Sequence, residues 1–457
     1  MLKSLSAEEI RQLDKFVRSP VHNQHNDVVA LFQYIRKYLN GGQRALQKEQ
    51  VYGHLYPGEP FNMQKVHYVS SYLLKVVEEF LAWRAWRNNE GNFYLYLMKS
   101  YHEHHQESLF DAATEKMQNT LANSDLQDVN FLFQTYQLEL ERFNYKRTQS
   151  KTNEFRLQEL SDSQDIAFMA EKLRNACILL SNQSVSKTSY DIGLLDKFLP
   201  SMANHPYLEI PAISIYYFAI KTLTHQQDDH SFQKLKSLLR THQLSFTKGE
   251  LYDMYIFAIN YCIRRYNSGD LEFMKEAFEI YKIGMVVEAF VQNGTITPRT
   301  YSNIVMSGLR FNEFDWVEQF IFLYKNSLPE KQREGFFNYN LARFYYEQRD
   351  YKKAMPLLLQ MEYDDVLLTC SGKILQIKMY LEQKEMETLS SSLQSFKIYL
   401  KRKKMLGYHK ESYINFIFLV GKIMQLKTNE TMISLQKEIT ETKVVAEKEW
   451  LLAQLGN

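Results

Sequence analysis

Residues 336–360 read FFNYNLARFYYEQRDYKKAMPLLLQ. Apolar residues recur at helical spacing before and after the polar stretch EQRD, which predicts two α-helices joined by a short turn. Small side chains at Ala342 and Ala354 would let helix backbones approach closely, and large ones at Leu341 and Leu358 would fill the grooves of neighbouring helices. The stretch therefore predicts a helix pair that packs against further pairs.

The same pattern returns at an interval of 35 residues on both sides of this stretch. The aligned pairs are Asn303 with Asn338, Ser307 with Ala342, Asp315 with Asp350, Leu323 with Leu358, Tyr345 with Tyr380, Ala354 with Leu389, and Leu358 with Leu393. This interval is close to the period of helix–turn–helix repeats. Only 16 Gly and 9 Pro interrupt the 457 residues, which favours long helices over many short strands. The sequence predicts an all-α fold.

On these residues, the stretch 336–360 resembles a tetratricopeptide (TPR) repeat unit, and the resemblance covers about residues 300–395. Tyr345 stands at the aromatic position of the first helix, and Ala354 stands where the two helices of a unit cross. Arg349 occupies a turn position at which the family prefers glycine. The resemblance implies an α-solenoid of antiparallel helix pairs, in which the first helices line a concave groove.

The resemblance also implies which side chains face that groove. Aromatic rings together with Arg343 and Lys378 would suit a peptide that carries both apolar and acidic groups. The implied ligand-facing residues are Tyr339, Arg343, Tyr346 and Glu347 in one unit, Tyr301, Ile304 and Phe311 in the unit before, and Ile374 and Lys378 in the unit after. The expected function is that of a non-enzymatic scaffold or adaptor for a protein or peptide partner.

Three regions are expected along the chain. They are an N-terminal helical block (1–90), a region of helical pairs (91–204), and a TPR-like solenoid (205–457) in which residues 413–424 and 432–455 form capping helices. Ser6 and Glu9 form a capping-box pattern at the start of the first helix. As a whole, the chain is similar to uncharacterised TPR-like proteins of Bacteroidetes-type bacteria, which share its opening at residues 5–9, Phe16 and Ser19-Pro20.

The composition excludes several classes of protein. The chain has 55 basic and 53 acidic residues, a net charge of +2, so no global field attracts nucleic acid or an anionic membrane. Its three cysteines, Cys177, Cys262 and Cys370, lie far apart and form neither a disulfide framework nor a metal motif. The first residues lack the apolar stretch typical of a signal peptide, and the most apolar segment, residues 413–424, is too short to span a bilayer. We therefore expect a cytoplasmic protein without membrane insertion.

No motif predicts catalysis, a cofactor or a metal. The cluster at residues 102–105, HEHH, lacks the HExxH spacing and a further ligand, so a solvated helix end explains it better than zinc does. The sequence CSGK at 370–373 lacks the upstream glycine of a phosphate-binding loop. The basic residues at 397 and 401–404 suit the C-terminal end of a helix, where cations complement the helix dipole.

One segment leaves an alternative open. Residues 46–81 predict a helix, a turn at YPGEP (56–60) and a long amphipathic helix, which faintly resembles the winged-helix part of bacterial activators that carry TPR-like repeats. On that resemblance the chain would be a transcription regulator with an N-terminal DNA-binding block. The candidate recognition helix carries only Lys65, His67 and Lys75 before Arg84, and a two-stranded wing is not evident, so nucleic acid is the less favoured partner.

Overall fold

A computed structural model describes residues 1–39, 46–149, 156–185, 188–225, 227–359, 365–402, 408–426 and 429–456. The predicted all-α fold is confirmed, since these residues form helices and no strand; an isolated bridge joins Gln292 and Thr295. The chain divides into two compact units, residues 1–171 (unit 1) and 172–457 (unit 2). The predicted three-region division, with boundaries at 90 and 204, stays a prediction.

Unit 1 contains helices α1 to α7 and the first part of α8, because the division between the two units falls within α8. Their bounds are α1 Ala7–Val17, α2 Asn26–Tyr38, α3 Lys48–Leu55, α4 Met63–Arg87, α5 Glu90–Glu103, α6 Glu107–Ala122, α7 Val129–Gln149 and α8 Leu157–Val185. The predicted capping box of α1 is confirmed, because the Ser6 hydroxyl accepts from the Glu9 backbone N–H and the Glu9 carboxylate accepts from the Ser6 N–H. Apolar residues of α1, α2, α3 and α4 share one core, and α5 packs on α6.

Unit 2 contains the helices that follow. They are α9 Leu195–Phe198, α10 Pro211–Thr224, α11 Asp229–His242, α12 Lys248–Asn267, α13 Glu272–Val286, α14 Pro298–Arg310, α15 Phe314–Leu323, α16 Glu330–Glu347, α17 Tyr351–Leu359, α18 Val366–Glu382, α19 Met386–Arg402, α20 Tyr408–Ile423, α21 Asn429–Glu441 and α22 Lys448–Ala453. Chain neighbours pack together, as α12 with α13, α14 with α15, α16 with α17 and α18 with α19. In addition, α14 packs on α16, and α16 packs on α18.

The helix pair predicted from residues 336–360 corresponds to α16 and α17. Ala342 and Ala354 have no exposed surface and belong to one buried cluster with Leu358 and residues of α18. A side chain larger than a methyl group at either alanine would separate helices that now touch. The small residues in the sequence thus mark a real close approach between the two helices.

The turns inside these pairs repeat one backbone geometry. Asn312, Arg349 and Lys384 each adopt a positive φ, of 55°, 60° and 59°. After each of them, the next backbone N–H bonds to a carbonyl five residues earlier; for example, Asp350 N donates to Tyr345 O at 2.9 Å. This is the Schellman arrangement that ends a helix with a left-handed residue. The turns lie 37 residues apart between Asn312 and Arg349 and 35 apart between Arg349 and Lys384.

We predict that Arg349→Gly stabilises the protein by about 1 kcal/mol. A residue with a Cβ is disfavoured at the left-handed φ of Arg349, and glycine relieves that cost while losing some entropy on folding. Urea denaturation followed by circular dichroism measures the change. Lys352→Gly, at an exposed position inside α17, is the control and is expected to destabilise by about 1 kcal/mol. Equal destabilisation by both glycines would contradict this description of the turn.

The C-terminal stretch differs from a continuous helix over residues 432–455. Helix α21 ends at Glu441 and α22 begins at Lys448, and Glu447 between them has a φ of 54°. The Lys448 ammonium donates to the carbonyl oxygens of Thr440 (2.6 Å) and Thr442 (3.1 Å), which satisfies acceptors at the end of α21. The break redirects the chain, so that α22 does not continue along α21.

Candidate functional site

An open cavity of about 850 Å³ lies in unit 2. Side chains from alternate helices line it, namely Tyr266 of α12, Arg310 of α14, Arg343 and Tyr346 of α16, and Lys378 of α18. Residues 447–450 supply a further part of its lining. This cavity is called the cleft below, and residues 444–455 are called the C-terminal segment.

The lining follows the register of the turns. Gly269, at the end of α12, also has a positive φ, of 103°. Six residues before Gly269, Asn312, Arg349 and Lys384 stand Ile263, Met306, Arg343 and Lys378, and all four line the cleft. Two residues before Gly269, Asn312 and Arg349 stand Asn267, Arg310 and Glu347, which also line it. Equivalent positions of the alternate helices α12, α14, α16 and α18 therefore line one cavity. Met306 also lines two adjoining cavities of about 380 and 610 Å³, so open space continues beyond the cleft.

The structure brings together some of the residues predicted from sequence. Arg343, Tyr346, Glu347 and Lys378 line the cleft. Tyr339 and Ile374 line a smaller adjoining cavity, of about 240 Å³, together with Arg343 and Lys378.

The predicted groove residues at the preceding helix pair, α14 and α15, lie outside the cleft. Tyr301 and Ile304 have no exposed surface, and the Tyr301 hydroxyl donates to Ile321 O of α15 at 2.8 Å. Phe311 is half-buried at the end of α14 and does not line the cleft. The reason is the interval of 37 residues between these two turns instead of 35: two residues rotate a helix position by about 200°. Met306 and Arg310 occupy the cleft-facing positions instead.

Lys378 is the most buried charged residue of the cleft. It is 7% exposed, and its ammonium lies 2.7 Å from Glu447 Oε2 of the C-terminal segment. The same ammonium lies 4.8 Å from the ring centre of Tyr346 and 5.4 Å from that of Trp450. Aromatic faces stabilise a cation that has lost its water. Lys378 is thus held by one carboxylate and two rings.

Charges around Glu447 act on its pKa. Burial by itself would raise the pKa of this carboxyl, but the nearby charges of Lys378 and Arg343 and the hydrogen bond from Lys378 lower it below its usual value. Arg343 shows the reciprocal effect: burial opposes its charge, yet Tyr339, Glu447 and Glu347 raise its pKa. The cleft therefore favours an anion at the position of the Glu447 carboxylate.

Glu382, at the end of α18, accepts a second set of contacts. Its Oε1 accepts from the Tyr346 hydroxyl and from Trp450 Nε1, each at 2.6 Å, and its Oε2 accepts from the Tyr351 hydroxyl. Burial and then the hydrogen bond to Glu382 raise the pKa of Tyr346, so this phenol stays a proton donor. The indole of Trp450 is thereby fixed by a charge-assisted hydrogen bond.

A more exposed contact involves Glu449 of the C-terminal segment. Its carboxylate lies 2.9 Å from Arg310 Nη2 and accepts from the Tyr266 hydroxyl at 3.2 Å. The Glu449 side chain is 68% exposed, and pairs of this kind contribute little to stability. The contact extends the segment's interactions to α12 and α14 without anchoring it.

The remaining contacts hold the C-terminal segment against α20. Ala446 N donates to Ser412 O at 3.3 Å, and Asn415 Nδ2 donates to Val444 O at 2.8 Å. Leu451 and Leu455 are buried in a cluster with residues of α20 and α21. The segment therefore has an apolar side on α20 and α21 and a polar, acidic side toward the cleft.

We predict that Glu447→Gln destabilises the protein by about 1–2 kcal/mol at pH 7, because the ion pair with Lys378 becomes a hydrogen bond from the ammonium to a neutral amide. The folded-state pKa of Glu447 is lowered, so its contribution is complete above the unfolded value of 4.5 and is lost as pH falls through the folded value. The difference between wild type and variant should therefore shrink below about pH 4.5. Denaturation curves from pH 3 to 7 measure it, with Glu449→Gln as the exposed control. A gap of constant size down to pH 3 would refute this assignment.

Sequence reasoning missed several residues of the site. Glu382 and Arg310 could have been predicted from the sequence. They stand four residues after Lys378 and Met306, respectively, which is one helical turn farther along the same face. Glu447 and Trp450 carry none, because no periodicity relates the end of the chain to helices about seventy residues earlier. Only the three-dimensional structure brings them into the cleft.

Other features singled out in the sequence lie apart from the cleft. His102 Nδ1 lies 2.9 Å from Glu141 Oε1, and the described residues contain no group of three or more ligand side chains placed to hold a metal. Lys401 and Arg402 lie in the last turn of α19, with Lys397 exposed on the same helix, while Lys403 and Lys404 lie outside the described residues. Among the described helices, none combines the length and apolar character needed to cross a membrane.

Comparisons with known proteins give no relative for this chain. No family model, no curated protein and no solved structure matches it.

Proposed function

We propose that the protein is a non-enzymatic adaptor whose cleft binds a segment of a partner protein that carries acidic and aromatic side chains. In this proposal unit 2 is a TPR-like α-solenoid of antiparallel helix pairs, and α12, α14, α16 and α18 form its concave side. The recurring turn geometry and the equivalent cleft-facing positions of successive helices support the repeat architecture. The proposed compartment is the cytoplasm.

One observation carries the proposal: the cleft already holds a peptide-like segment of this chain by its acidic and aromatic side chains. Lys378 and Arg343 act on one carboxylate, and Glu382 accepts from an indole. Carboxylate–cation pairs and buried aromatic anchors are the contacts that give specificity at protein interfaces. The adjoining cavities, lined by Met306, provide space for a segment longer than a few residues.

The proposal is tested by selecting peptides from a displayed random library on the full-length protein. We expect the selected peptides to be enriched in Asp or Glu together with Trp, Tyr or Phe. Arg343→Glu should weaken their binding by roughly a hundredfold, because a repulsive charge replaces an attractive one beside the bound carboxylate. Fluorescence anisotropy with individual peptides measures the change.

Lys397→Glu is the matched control, since it reverses an exposed charge on α19. It should leave peptide affinity unchanged, and circular dichroism should show equal helicity for both variants. Failure to enrich any peptide, or affinities that do not respond to Arg343→Glu, would refute a peptide-binding cleft.

A further inference from the structure

We infer that the C-terminal segment is a displaceable occupant of the cleft, and that the partner binds by replacing it with a segment of the same acidic–aromatic chemistry. This inference rests on the proposed function and adds to it the regulation of the site and the character of the partner. It makes the end of the chain an internal competitor of the ligand.

The segment is held by side chains more than by its own backbone structure. Its helix, α22, has six residues, and a helix of that length is not stable in isolation. Among the described residues, one backbone–backbone hydrogen bond links it to α20, between Ala446 N and Ser412 O. Glu447 adopts a left-handed φ of 54° that a residue with a Cβ disfavours. A segment of this kind opens locally, at a lower cost than unfolding of the unit.

Its departure leaves two cations, Lys378 and Arg343, without the carboxylate that now lies near both of them. Lys378 is 7% exposed while Glu447 is in place, and its ammonium would lose its carboxylate partner. Arg343 would lose the favourable charge of the same carboxylate. Two neighbouring cations on the same wall attract an anion, so the opened cleft favours a ligand that supplies a carboxylate.

The positions of the displaced groups define the ligand further. Glu447 is followed three residues later by Trp450, whose Nε1 reaches Glu382. The centre of the Trp450 ring lies 5.4 Å from the Lys378 ammonium and 6.0 Å from the centre of the Phe416 ring. The partner segment should therefore carry an acidic residue followed, about one helical turn later, by an aromatic residue with an N–H or O–H donor.

A labelled peptide tests the inference on the full-length protein. The probe is the synthetic peptide KVVAEKEWLLAQLGN, residues 443–457, with an N-terminal fluorescein, followed by anisotropy. The release variant Glu447→Ala/Trp450→Ala removes the side chains that hold the segment in the cleft. We expect it to bind the probe at least tenfold more tightly than the wild type does. Adding Lys378→Ala to the release variant should remove this gain.

Lys437→Ala is the matched control, because it removes an exposed lysine on α21. It should bind the probe as weakly as the wild type does. Equal affinity of the wild type and the release variant would overturn the inference. A wild-type dimer on size exclusion that the release variant abolishes would overturn it as well, since the segment would then belong in the cleft of a second copy.

Hydrogen exchange on the wild type gives a second readout that needs no variant. Amides of α22 should exchange at least a hundredfold faster than the core amides of α16, because the segment opens by itself. Equal protection of α22 and α16 would overturn the inference, since the segment would then leave only on global unfolding. Peptides that depend on Arg343 but bind the wild type and the release variant equally would refute the inference and leave the proposed function intact.

Discussion

Replacing Trp450 with alanine is expected to lower the free energy of unfolding by about 3 kcal/mol, the low end of the range for large aromatic residues, because this side chain is half-buried. The loss has three sources: the ring contact with Phe416, the cation–ring contact with Lys378, and the hydrogen bond from Nε1 to Glu382. Urea denaturation followed by circular dichroism measures it.

Trp450→Phe separates these contributions. It keeps an aromatic ring in the position of Trp450 and removes the N–H that Glu382 accepts, so its cost should be about 1–2 kcal/mol. A cost below about 0.5 kcal/mol for Trp450→Ala, the level of ordinary surface substitutions, would contradict the description of this side chain as an anchor.

Replacing Lys378 with alanine is expected to destabilise the protein by about 3 kcal/mol. Removing one partner of a buried ion pair leaves the other charge without compensation, which costs about 3–5 kcal/mol in a fully buried site. Glu447 keeps a side-chain exposure of 32%, so the expected cost lies at the low end of that range. The aliphatic part of the lysine side chain contributes as well, because Lys378 is buried.

Lys378→Met separates the contribution of the ammonium charge to stability from that of the aliphatic part of the side chain. It preserves an unbranched apolar chain and removes the ammonium, so about 2 kcal/mol of the loss should remain. Equal stability of Lys378→Met and wild type would mean that the pair with Glu447 contributes nothing, and would remove the basis for an anion-selective cleft. Thermal unfolding monitored at the helical band serves as the measurement.

The helices of this fold are largely readable from local patterns in the sequence. The capping box at Ser6, the scarcity of glycine and proline, and the apolar spacing around Ala342 and Ala354 each reflect a short-range physical rule. The same rules place Arg343 and Lys378 on the cleft-facing side of α16 and α18, because the two turns there are 35 residues apart. Short-range rules are sufficient for these features because the contacts behind them lie within one or two helices.

At the helix pair α14 and α15, local patterns in the sequence do not predict which side chains face the cleft. Side-chain types align at an interval of 35 residues, but the turns at Asn312 and Arg349 lie 37 residues apart. The two extra residues place Tyr301 and Ile304 in the core instead of in the cleft. The sequence contains no left-handed marker at Asn312 as clear as the glycine at 269. The contacts of the C-terminal segment could not be predicted from sequence for another reason. They join oppositely charged residues that are distant in the chain, and such pairs produce no periodic pattern.

The measurement that tests the central claim most directly is a double-mutant cycle between Lys378 and Glu447. The claim is that the end of this chain lies in the cleft with its Glu447 carboxylate on the Lys378 ammonium. Single and double alanine variants, each measured by urea denaturation, should give a coupling free energy of about 2 kcal/mol, as for partners in direct contact. Additive effects, with a coupling indistinguishable from zero, would contradict the claim.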